Sequence, residues 1–137
     1  MEILESKSNA QKWLTYIIDK HNCHHIFKLS FKSGNIIIDA IYSPLDKKWK
    51  RVWEWIIPFK NLGKIELNSS NNSNHLNLTL HSKWFRSFIK KNYNEVNNLN
   101  PREKKESKVD IVLSKSILSD DEFDIKKLIS AFKLSIS

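Results

Sequence analysis

Residues 24–43 read HHIFKLSFKSGNIIIDAIYS, two alternating runs separated by Ser33-Gly34. Glycine adopts a positive φ without steric cost, so this pair suits the short loop of an antiparallel hairpin. Closing the chain there sets Phe31 opposite Ile36, Leu29 opposite Ile38 and Phe27 opposite Ala40 on one face. The other face receives Lys28 opposite Asp39 and Ile26 opposite Ile41. A slip of one residue would turn the apolar set toward water, so pattern and turn specify the same register. The spacing predicts a hairpin over residues 23–42.

Upstream, Asp19-Lys20-His21-Asn22-Cys23-His24-His25 gathers three histidines and the chain's single cysteine. Strand alternation sends Cys23 and His25 to the apolar face with Phe27, Leu29 and Phe31, and sends His24 to the wetter face with Lys28. Adjacent histidines then point apart, and His75 and His81 fall on a different predicted hairpin. Structural zinc needs four nitrogen or sulfur ligands converging on one point. The run is therefore read as the approach to a strand, with Cys23 as a small buried hydrophobe, and no metal or cofactor is expected.

Outward from the hairpin, Ala10, Trp13, Leu14, Ile17 and Ile18 recur at helical spacing behind Ser6 and Ser8, either of which can cap a helix over residues 5–20. Residues 44–57 carry two patterns. Ser43-Pro44-Leu45-Asp46 resembles a helix start, and Trp49, Val52, Trp53 and Ile56 fit a helical face. Trp49, Trp53, Trp55 and Ile57 share strand parity instead, and aromatic and β-branched residues favour strands, so a strand is preferred. Ile65-Glu66-Leu67 and Leu76-Asn77-Leu78-Thr79-Leu80 alternate about an Asn/Ser loop and predict a second hairpin over 64–81. Phe85, Phe88, Ile89 and Val96, with Tyr93, fit a short helix from Trp84 to Val96. Residues 94–108 read as a polar loop holding Pro101, and Val109 to Leu113 as one more strand. Ser119-Asp120-Asp121-Glu122 has the form of a capping box before the helical stripe Ile125, Leu128, Ile129 and Phe132.

The sum is an α+β chain read as a single domain over 1–137. It has an N-terminal helix, an antiparallel sheet of about five to six strands and a C-terminal helix. That order is similar to pleckstrin-homology-like and other small helix-capped β domains. A likeness of element order implies a fold class and no particular activity.

At 137 residues such a domain buries about two-thirds of the surface its unfolded chain exposes, so it needs no disulfide or metal staple. One cysteine forms no internal disulfide, which suits a reducing compartment. The opening MEILESKSNAQKW carries glutamates where a secretory leader carries positive charge, and no stretch approaches the ~20 apolar residues of a membrane span. An intracellular chain, cytoplasmic or nuclear and without a transmembrane segment, is the expectation.

A net charge of +8 suits an acidic partner: nucleic acid, anionic lipid or an acidic protein face. With Gly34 and Gly63 its only glycines, the chain has no phosphate-cradling glycine loop, and no dinucleotide fingerprint or nucleophile elbow occurs. No enzyme and no catalytic residue is expected. What remains is basic and aromatic. Lys47 to Trp53 and Lys83 to Lys91 each interleave cations with large rings, and Lys48, Trp49, Lys50, Arg51, Trp84, Arg86, Lys90 and Lys91 are the candidate partner-binding residues. Cations neutralise phosphate while aromatic faces stack unpaired bases. Rings can equally fill a core whose rim is covered by Lys and Arg stems, the reading taken for Trp53, Trp55 and Phe88. The first functional expectation is a non-catalytic protein-interaction or adaptor domain with surface aromatics as anchors. The alternative is a nucleic-acid or anionic-surface binding module using residues 47–53 and 83–91.

Overall fold

The computed structural model describes residues 6–23, 26–42, 49–69, 74–93 and 102–137; over 42, 49–52, 84–93 and 102–106 the description is of the backbone. A helix α1 (Lys7–Lys20) leads into β1 (Ile26–Lys32), β2 (Asn35–Tyr42) and β3 (Trp49–Pro58). A single 3-10 turn, Phe59–Asn61, joins β3 to β4 (Leu62–Ser69), followed by the long β5 (His75–Tyr93) and β6 (Arg102–Ser114). A second 3-10 turn, Lys115–Ser119, leads to α2 (Ile125–Ser135). All strand pairs are antiparallel. The six strands form one sheet, in which β1-β2-β3 and β4-β5-β6 are two three-stranded parts joined where β3 pairs the C-terminal half of β5.

The first hairpin has the register that its sequence specifies: Phe31 opposite Ile36, Leu29 opposite Ile38, Phe27 opposite Ala40 and Lys28 opposite Asp39. Ser33 and Gly34 both take positive φ, 53° and 77°, the backbone of a turn whose twist matches the strands it joins. β3 continues the meander, with Ile57, Trp55 and Trp53 opposite Ile36, Ile38 and Ala40. That alignment explains the strand over this ambiguous segment: as a strand it adds to the buried row of β2. Trp53 and Trp55 are half-buried against the core, their rings stacked 6.4 Å apart. The second hairpin pairs Ile65 with Leu80 and Leu67 with Leu78.

The core lies between the sheet and the two helices. α1 contributes Ala10, Trp13, Leu14, Ile17 and Ile18, and α2 contributes Leu128, Ala131 and Phe132. Leu76, Leu78 and Leu80 of β5 stand opposite Leu113, Ile111 and Val109 of β6, all six buried. Each such side chain contributes about 1.5–3 kcal/mol when withdrawn from water. Ser6 caps α1, its hydroxyl accepting from the Asn9 N–H at 3.1 Å.

Three expectations are corrected. Residues 84–93 are strand, not the start of a helix, because β5 runs on past a bulge between His81 and Phe85 and finds ladder partners on β3 over 86–93 and on β6 over 85–89. Pairing on two sides outweighs a helical spacing that only four apolar residues supported. Arg102 to Lys108, polar enough to read as loop, extend β6 along the same strand, while residues 94–101 lie outside the described residues. α2 begins later than the capping box suggests. Its N-cap is Asp124, whose carboxylate accepts from the Lys126 N–H at 3.2 Å, while Ser119 closes the preceding 3-10 turn.

Candidate functional site

The two basic segments are 35 residues apart in the chain, counting from Arg51 to Arg86, and the sheet makes them neighbours. Trp49, Lys50 and Arg51 lie on β3; Trp84, Arg86, Lys90 and Lys91 lie on β5. In the β3–β5 ladder Trp49 is paired with Tyr93, Lys50 with Asn92, Arg51 with Lys91, Val52 with Lys90 and Ile56 with Arg86. On the other edge of β5, Arg86 is paired with Lys105, Ser87 with Lys104 and Ile89 with Arg102. Lys48 lies outside the described residues. Three strands therefore bring Lys50, Arg51, Arg86, Lys90, Lys91, Arg102, Lys104 and Lys105 to one end of the sheet, with Glu54, Glu103 and Glu106 as the acids of the same ladder. Arg51 opposite Lys91 and Arg86 opposite Lys105 are like charges at directly opposed positions, an arrangement that costs a sheet stability. The contribution of β6 is absent from the candidates named by sequence, because its cations were read as loop.

A second polar cluster ties the end of α1 to the turn before α2. His21, buried at the C-terminus of α1, has Nδ1 2.9 Å from Ser116 Oγ and Nε2 2.7 Å from Asp120 Oδ2. Lys20 Nζ lies 2.9 Å from the same Asp120 oxygen, and the Glu122 N–H donates to Asp120 Oδ1 at 2.9 Å. The Lys20 ammonium, then the Glu122 N–H and His21, hold the Asp120 carboxyl well below the usual carboxylate range. Asp120, assisted by Tyr16, in turn holds Lys20 protonated well above its ordinary value. The ionised Asp120 accepts from His21 Nε2, and Ser116 Oγ, which donates to Ser114 Oγ at 3.0 Å, stands beside Nδ1.

Acid, imidazole and hydroxyl in series also describe a nucleophilic triad, and acyl transfer would further need N–H donors aimed beside the hydroxyl. Three N–H groups of this turn have partners of their own: Ser116 with Ser114 Oγ, Lys115 with the Asn74 carbonyl and Asp120 with the Ile117 carbonyl. The cluster fastens the end of α1 to the turn before α2. It is joined by the Ser114 N–H, which donates to the His21 carbonyl at 2.7 Å, and by a bridge between Asn22 and Leu113. Sequence inspection missed it because His21 and Asp120 are 99 residues apart, and each has a local explanation at a helix end.

Of the remaining histidines and the thiol, Cys23 is half-buried with Sγ 3.5 Å from the Val112 carbonyl, while His24 and His25 lie outside the described residues. His81 Nε2 lies 2.7 Å from Glu66 Oε1 on the outer side of β4 and β5. The Asn68 amide, followed by His81, lowers the Glu66 carboxyl from its ordinary value. Among the described residues, no three His, Cys, Asp or Glu side chains converge as metal ligands would. None of their helices is long and apolar enough to cross a membrane. Comparison with protein-family models, curated proteins and solved structures finds no match to this chain. The likeness to pleckstrin-homology-like domains accordingly rests on element order alone.

Proposed function

We propose that the protein is a non-catalytic protein-interaction domain whose contact surface is the basic end of β3, β5 and β6, and whose partner presents an acidic face. The observation supporting it is the register that sets Arg51 against Lys91 on one face of this end and Arg86 against Lys105 on the other, so that both faces carry opposed cations. Opposed like charges weaken the free domain, and an anionic partner relieves that cost on binding. Interleaved rings at Trp49, Trp84 and Tyr93 supply the aromatic anchors on which interfaces concentrate their energy. The lone cysteine, without a disulfide partner in the chain, supports a reducing setting in the cytoplasm or nucleus.

A second reading, nucleic acid or another anionic surface, is favoured by one further observation. Arg102, Lys104 and Lys105 continue the cations onto a third strand, giving an extended rather than a point-like basic track. One experiment separates the two. Binding of a fluorescent single-stranded oligonucleotide is measured across a salt series, beside cross-linked capture of protein partners by the wild type and by a variant with Lys50, Arg51, Arg86, Lys90 and Lys91 replaced by Ser. The interaction-domain reading expects weak oligonucleotide binding and an acidic protein captured by the wild type alone. Submicromolar oligonucleotide binding with a log–log salt slope of about −0.7 per phosphate neutralised, abolished in the variant, would replace it by the second.

A further inference from the structure

β1 is an edge strand, paired with β2 on one side and with no strand of the described residues on the other. Alternate residues of such a strand turn their N–H and C=O groups outward. Asn22 shows which ones. Its side-chain amide accepts from the Phe27 N–H at 2.9 Å and donates to the Phe27 carbonyl at 3.2 Å, so Phe27, Leu29 and Phe31 form the outward set. At Phe27 an amide side chain thus makes both bonds that a neighbouring strand would make. At Leu29 the carbonyl accepts from Thr15 Oγ1 at 3.2 Å, yet that hydroxyl has one proton and also stands 3.0 Å from the Gln11 carbonyl. Leu29 can therefore exchange partners without stranding a donor. Along the same edge runs an open groove of about 480 Å³ walled by Ser8, Gln11, Lys12 and Thr15 of α1 and by Leu29 and Phe31 of β1.

We propose that the outward edge of β1 from Leu29 to Ser33, with the groove beside α1, binds an acidic extended peptide as an added strand. Main-chain bonds to Leu29 and Phe31 would hold it, and side chains at alternate positions would set its specificity. Charge selects the occupant. Lys28, Ser30 and Lys32 are exposed on the face away from the core, and residues of an added strand stand directly across from them. Lys32 has only Asn35 opposite it on β2, and Lys12 in the groove wall has no ion-pair partner among the described residues. Carboxylates at alternate ligand positions meet Lys28 and Lys32, while the residues between them turn toward the groove, where Leu29 and Phe31 present apolar surface and Lys12 a further cation. Asp19, at the far end of the groove, and the Asn22 plug confine the peptide to the Lys12 end. A second copy of the chain whose β1 edge paired with this one about a two-fold at Ser30 would set Lys28 against Lys32.

This surface is separate from the basic ladder, and the test distinguishes them. The isotope-labelled full chain is titrated with an acetylated, amidated hexapeptide alternating Glu and Val, and amide shifts are followed residue by residue. Shifts should centre on Leu29 to Ser33, Lys12 and Thr15, with slowed hydrogen exchange at the Leu29 and Phe31 N–H groups. The same peptide methylated on alternate backbone nitrogens should lose binding in one of its two phases. Lys32→Glu should weaken binding by roughly tenfold, and a peptide carrying Lys in place of Glu should bind that variant better than the wild type. The proposal is overturned by shifts centred on residues 50–56 and 86–92, by equal binding of both methylated forms and the parent peptide, by self-association through β1 without peptide, or by no shift at millimolar peptide.

Discussion

Over 76–81, β5 lies between β4 and β6, with Leu76, Leu78 and Leu80 buried opposite Leu113, Ile111 and Val109; over 86–89 the same strand lies between β3 and β6, over 90–93 it is paired with β3, and this stretch carries Arg86, Lys90 and Lys91. A bulge between His81 and Phe85 separates the halves. The upstream half joins apolar area removed from water to pairing on two edges, whereas the backbone of the downstream half is paired with β3 over 86–93 and with β6 over 85–89. One backbone thus does two jobs. Continuity of the ladder lets the chain carry a surplus of like charge that its residue pattern alone would not keep in a sheet.

The largest effect of a single substitution is expected upstream. Leu78 is fully buried, and Leu78→Ala should cost about 2–5 kcal/mol in denaturant unfolding. A near-neutral result would mean that this half, too, stands on its ladder rather than on its side chains.

The cluster at the end of α1 offers a polar counterpart. Asp120→Asn should lower the melting temperature at neutral pH, because its carboxylate is bonded by Lys20, the Glu122 N–H and His21. Its folded value is depressed, so the stability it contributes is present above the unfolded carboxylate value of about 3.9 and is lost as pH falls through the lower folded value. Melting curves of variant and wild type should therefore converge as the solution is acidified below about pH 4. A gap that is constant down to pH 2 would deny the carboxylate this role.

Downstream the expected effect on stability is smallest and of opposite sign. Arg51→Ser or Lys91→Ser removes one of two opposed like charges and should leave unfolding within roughly 0.5 kcal/mol of the wild type, on the stabilising side. Raising the salt concentration should shrink that gain, since exposed charges are screened. A loss of several kcal/mol in either variant would show that these positions are structural, and would remove the main support for a binding surface there.

The apolar residues of β1 and β2, their turn at Ser33-Gly34, the face of α1 and, in Leu128 and Phe132, part of the face of α2 were legible in the sequence, because each depends on neighbours a few positions away; Ile125, read into the α2 stripe, is exposed. Side-chain period, turn conformation and helix face are local properties, and for the first hairpin they admit a single register. The strand at 84–93, the arrival of Arg102 to Lys105 beside it and the bond between His21 and Asp120 were decided by tertiary structure. Each joins segments far apart in the chain, where a residue's own preference is weaker than the ladder or ion pair it completes. Phe85, Phe88 and Ile89 fit a helix as well as a strand until β3 and β6 supply partners on both edges, and only the folded sheet supplies them.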